Sequence, residues 1–94
     1  MIDHSLSVFG ENNAQMRQRR DAVKQMARLL SDDLYERDFS AETDNQGTWK
    51  SPLGWKVAIK IEATQWVVTI TDPNGEHYAT LINPHVSTLD AKLP

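Results

Sequence analysis

Apolar and polar residues alternate with a period of two between Trp55 and Ile82. Trp55, Val57, Ile59 and Ile61 are apolar, while Lys56, Lys60 and Glu62 are charged. Trp66, Val68 and Ile70 repeat the pattern, and Asp72-Pro73-Asn74-Gly75 supplies a turn before Glu76 to Ile82 continues it. Such alternation predicts three antiparallel strands with one buried face. A type I turn centred on Pro73 and Asn74, with Gly75 left-handed, sets Ile70 opposite Tyr78, Val68 opposite Thr80 and Trp66 opposite Ile82. A turn at Ala63-Thr64 pairs Ile61 with Trp66, Ile59 with Val68 and Val57 with Ile70, so both turns place the same side chains on one face. Trp49 marks a short fourth strand ahead of a turn at Pro52-Leu53-Gly54.

Upstream the period lengthens. Met16, Val23, Met26, Ala27, Leu30 and Leu34 fall within about 100° of one another on a helical wheel. With Asn12 or Asn13 as N-cap, and Gln15 three residues after Asn12, this predicts a helix over 12–37. Ser31-Asp32-Asp33 offers a competing start for a short second helix, since acids suit a first turn. Residues 1–10 read as a flexible arm in which Val8 and Phe9 form a small apolar anchor, and 38–48 as a polar loop. The sheet occupies 49–82. In the C-terminal segment 83–94, Asn83-Pro84 caps a short helix with Pro84 in its first position. One helix across the apolar sheet face gives the expected fold: a single α+β domain over 1–94, a two-layer sandwich with a three- to four-stranded antiparallel meander.

Composition narrows the chemistry. The 94 residues include no cysteine, so disulfides, thiol nucleophiles and thiolate metal sites are excluded. Neither a secretory leader nor a long apolar run is present, which predicts a cytoplasmic chain with no membrane contact. The net charge of −3 is unevenly spread: residues 1–30 carry +2, residues 31–46 carry −5, and the remainder is neutral. His4, His77 and His85 lack ligand spacing, and Asp32, Asp33, Glu36 and Asp38 lack the order of a calcium loop. Ser31, Ser40 and Ser87 have no neighbouring base, and no glycine-rich phosphate loop occurs. No catalytic residue, cofactor or metal is expected.

Two surfaces remain. Arg17, Arg20, Lys24 and Arg28 flank the apolar helix face as a basic stripe that suits phosphates. Asp21 and Asp32 stand four residues from Arg17 and Arg28, and local pairing of this kind predicts a solvated face. The second surface is the far side of the sheet, where the register places Ala58, Val67, Thr69, Ala79 and Leu81. Those residues, with Trp49 as an exposed anchor, predict a protein interface. The order helix, three strands, short helix is similar to that of double-stranded RNA-binding domains, but their last helix opens with a lysine cluster and here no basic residue precedes Lys92. No family is assigned on topology alone. The expectation is a non-catalytic interaction or regulatory module that binds another protein or itself, including as a homodimer, with nucleic-acid binding through the helix stripe as the alternative.

Overall fold

A computed structural model describes the backbone of residues 2–94 and the side chains from Met16 onward. Helix α1 (Ile2–Asp32) is followed by β1 (Glu36–Arg37), a single 3₁₀ turn (Phe39–Ala41), β2 (Gln46–Lys50), β3 (Lys56–Ile61), β4 (Trp66–Thr71), β5 (His77–Ile82) and α2 (Val86–Lys92). The strands form one antiparallel sheet in sequence order, β1-β2-β3-β4-β5. The fold is α+β as expected, but with five strands. The polar stretch read as a loop contains the 3₁₀ turn and the first residues of β2.

The arm expected over residues 1–10 and the N-cap expected at Asn12 fall on residues ahead of the described side chains. The anchoring role given to Val8 and Phe9, like His4, lies outside the described side chains. At its C-terminal end the helix neither continues to Arg37 nor restarts at Ser31. It closes with a Schellman motif, in which Tyr35 N–H donates to the Leu30 carbonyl (2.8 Å) and Leu34 N–H to that of Ser31 (3.0 Å). Leu34 takes the left-handed position at φ 70° and is 71% exposed, although the wheel assigned it to the core. The next residue, Tyr35, is buried in its place. Adjacent C3 and C″ side chains commonly pack together in this motif, and Leu30 and Tyr35 both join the core here.

Core packing follows the alternation. One row across the buried face holds Trp49, Val57, Ile70 and Ala79, and the next holds Gly47, Ile59, Val68 and Leu81. Met26 and Leu30 of α1 and Leu89 of α2 cover these rows, with Val23 and Ala27 partly buried beside them. The β3–β4 pairs are those the Ala63-Thr64 turn predicts. Trp49 is 3% exposed. Its ring lies against Gly47, where an added Cβ would meet ring carbons at 2.8 and 2.9 Å. The Arg37 guanidinium sits 5.4 Å from the centre of the same ring.

The β4–β5 pairing differs from the expected one. The turn forms with Gly75 left-handed as predicted, at φ +85°, and the Asp72 carboxylate caps it by accepting from Asn74 and Glu76 N–H (both 2.9 Å). A bulge then shifts the ladder between Ile70 and Thr71, so Thr71 faces His77, Ile70 faces Ala79 and Val68 faces Leu81. Tyr78 is the extra residue. A bulge sets two residues against one and so reverses the facing of everything beyond it. After the last strand Asn83 turns the chain at φ 50°, a conformation asparagine tolerates. Pro84 is buried ahead of α2, whose N-cap is His85 rather than Asn83.

Candidate interaction surfaces

The bulge redistributes the residues expected at an interface. Ala79 and Leu81 turn inward and pack against the core, and Trp49 is a core residue rather than an exposed anchor. Val67 and Thr69 stay on the outer face and are half-buried. That face consists of the rows Thr48-Ala58-Thr69-Thr80, Gln46-Lys60-Val67-Ile82 and Lys50-Lys56-Thr71-His77. Threonine and lysine dominate it, as suits a sheet face bathed in water. Its exposed large apolar residue is Ile82, on β5.

Strand β5 is also an edge of the sheet, with β4 as its one neighbour. Asn83 N–H donates to the Trp66 carbonyl (2.8 Å). Antiparallel ladders alternate, so Ala79 and Leu81 direct their backbone groups at β4, while Thr80 and Ile82 direct theirs outward. From His77 to Ile82 the strand carries no Asp, Glu, Lys or Arg. Natural edges are commonly blunted by charge, proline, shortness or bulges. Here the one such device lies at the start, at Tyr78, whose ring meets that of Trp55 edge-on at 4.9 Å between centroids. The other edge, β1, is two residues long and carries Glu36 and Arg37. His77 extends its Nε2 to Thr80 Oγ1 (2.7 Å) along the outer face.

The basic stripe is exposed as expected at Arg17, Arg20, Lys24 and Arg28. The salt bridges found among the described residues are Arg37–Glu42, Lys50–Asp38 and Lys60–Glu62, so the proposed Arg17–Asp21 and Arg28–Asp32 pairs are not formed. Asp38 belongs to the 3₁₀ turn, where its carboxylate accepts from Ser40 N–H (3.1 Å) and Ser40 Oγ (2.5 Å). Those bonds and the Lys50 ammonium hold its pKa below the usual carboxylate range. Burial pushes the Tyr35 hydroxyl up, and the negative charge of Asp33 adds to the effect.

A third surface lies where the end of α1, the β2–β3 turn and the C-terminus meet. Asp32, Leu34, Tyr35, Leu53, Trp55 and Leu93 line a groove of about 580 Å³ there, and Leu53 is 80% exposed.

Sequence reasoning missed Arg19, which is 9% exposed on the core-facing side of α1. The signal was present: Met16, Arg19, Val23, Met26 and Leu30 follow a 3-4-3-4 spacing, which puts Arg19 on the apolar seam instead of in the stripe. No cluster of metal-ligating side chains occurs among the described residues, and none of their helices is long and apolar enough to cross a membrane.

No protein-family model, curated protein or solved structure matches this chain.

Proposed function

We propose that this chain is a non-catalytic interaction module whose working surface is the β5 edge, and that the strand it accepts is β5 of a second copy. The carrying observation is an uncharged six-residue edge with outward backbone groups at Thr80 and Ile82. Unpaired strand edges are templates for strand addition. A twofold axis through Thr80 makes the edge self-complementary. The two copies of Thr80 then exchange backbone hydrogen bonds, and Ile82 of each copy faces the partner's Tyr78. No like charges meet within β5, and the sheet continues from one copy into the next. Symmetric dimers of this kind are the commonest closed assemblies.

Sedimentation velocity on the wild type and on Thr80→Lys tests the proposal. In the monomer the substitution removes only the exposed contact of Thr80 Oγ1 with His77 Nε2, whereas in the dimer it sets two ammonium groups directly opposite one another. The expected result is a concentration-dependent dimer for the wild type and a folded monomer for the variant. A wild-type monomer at submillimolar concentration refutes the reading, as does a dimer that Thr80→Lys leaves intact. Salt-sensitive binding of RNA or DNA, lost in an Arg20→Glu/Lys24→Glu variant, would replace it with the helix stripe as the working surface.

A further inference from the structure

We infer that Arg19 is the anchor of an oxyanion-binding site, one that takes a carboxylate or phosphate group, at the end of the sheet beneath α1. A guanidinium stays charged at any physiological pH, and withdrawing it from water is costly unless an anion and hydrogen-bond acceptors compensate. Arg19 is nine-tenths buried, its Nε–H has no partner, and it joins no salt bridge among the described residues. It opens onto a cavity of about 420 Å³ whose other lining residues are Gln18, Thr64, Trp66 and Asn83. That volume lies within the range of small-ligand sites, and among the described residues its lining carries no acid.

One neutral residue of the lining is disposed as a donor. Asn83 Oδ1 already accepts from Trp66 N–H (2.9 Å), which leaves its amide N–H groups free to donate. Trp66 Nε1 is committed to the Pro84 carbonyl (3.0 Å), which fixes the indole as an apolar wall. On the opposite flank Arg19 borders a second cavity, shared with Arg20, Asp44 and Glu62. Glu62 is engaged elsewhere, by Gln65 Nε2 at 2.6 Å and Lys60 Nζ at 4.0 Å. Asp44 is exposed and is the acid that competes for Arg19. An arginine fork matches the planar bidentate acceptor of a carboxylate and two oxygens of a phosphate equally well.

The experiment follows the arginine side-chain Nε–Hε signals of ¹⁵N-labelled protein during titration with sodium phosphate, sodium acetate and sodium chloride at matched ionic strength. Arg19→Met identifies the Arg19 signal by its loss. Replacing an uncompensated buried charge by an apolar side chain is neutral or stabilising, so that variant folds and melts no earlier than the wild type in chloride. The expected result is saturable movement of the Arg19 signal with phosphate or acetate, at concentrations about tenfold or more below any chloride effect. The same anion raises the thermal midpoint of the wild type and not that of Arg19→Met. Whichever titrant saturates first identifies the ligand as a phosphate or a carboxylate. Equal responses to all three salts, or none, overturn the inference. So does an Asp44→Asn variant in which the signal moves to a new position without added anion, because Arg19 would then be compensated from within the chain.

Discussion

Replacing Ile59 by alanine tests the packing of the sheet against the helices. Ile59 is 1% exposed at the middle of β3, between Val68 on one side and Gly47 on the other. The substitution removes three buried carbons, about 0.8 kcal/mol each or roughly 2.4 kcal/mol together. A cavity term adds to this, because the surroundings relax only in part, and buried isoleucines cost ~2–5 kcal/mol when cut to alanine. The neighbour across the β2 ladder is a glycine, whose missing side chain cannot move in to fill the void, so the loss belongs in the middle of that range. A domain of this length has a total stability of roughly 5–14 kcal/mol, so a loss of ~3 kcal/mol removes a large fraction of it. The thermal midpoint should fall by roughly 12–24 °C. Urea unfolding followed by tryptophan fluorescence measures the difference directly, and the slope should stay unchanged. The control is Lys60→Ala, on the water-facing side of the same strand, with an expected change within about 0.5 kcal/mol. A loss below ~1 kcal/mol for Ile59→Ala, or equal losses at both positions, would refute the assignment of the buried face.

Gly75→Val should cost about 1–2 kcal/mol because φ is left-handed there, while Asn74→Ala, where only backbone groups engage Asp72, should cost less. Comparable, negligible urea-midpoint shifts in the two variants would contradict that turn. Gly47→Ala should destabilise by ~1–3 kcal/mol, since the new methyl meets the Trp49 ring, and the tryptophan fluorescence of the folded state should change with it. Asp38 has a depressed pKa in the folded state, so its contribution is fully present above the unfolded carboxylate value near about 4 and is lost as pH falls through the folded value. The stability gap between wild type and Asp38→Asn should therefore be constant near neutrality and close in acid. A gap that persists at the acid end of a urea titration series would show that Asp38 is not held by Ser40 and Lys50.

The sequence made some elements legible because local and tertiary demands agree in them. The Val57–Ile70 and Ile59–Val68 pairs could be read off because alternation and turn length impose the same register. The β4–β5 register could not, since the bulge at Tyr78 inserts one residue without any glycine or proline to announce it. Its effect was large: Ala79 and Leu81 moved from the supposed interface into the core, and the outer face became a threonine and lysine surface. The end of α1 was hidden for a related reason. Leucine is a poor occupant of the left-handed position, so Leu34 read as the next turn of the helix instead of its stop. Strand β1 escaped because two residues carry no period. Trp49 looked like an exposed anchor beside Lys50 and a proline, and it is buried because Gly47 makes room for its ring. Arg19 was legible in spacing alone, since its 3-4 spacing with Met16 and Val23 places it on the apolar seam.

Amide hydrogen exchange at single residues reads the proposed pairing of β5 with a second copy directly. In a monomer the Ala79 and Leu81 amides, bonded to β4, are protected, while those of Thr80 and Ile82 point outward and exchange freely. Dimerisation through this edge should protect Thr80 and Ile82 as protein concentration rises, and Thr80→Lys should abolish the gain at Ile82 while Ala79 and Leu81 stay protected. Rapid exchange at Thr80 and Ile82 at every concentration would contradict it.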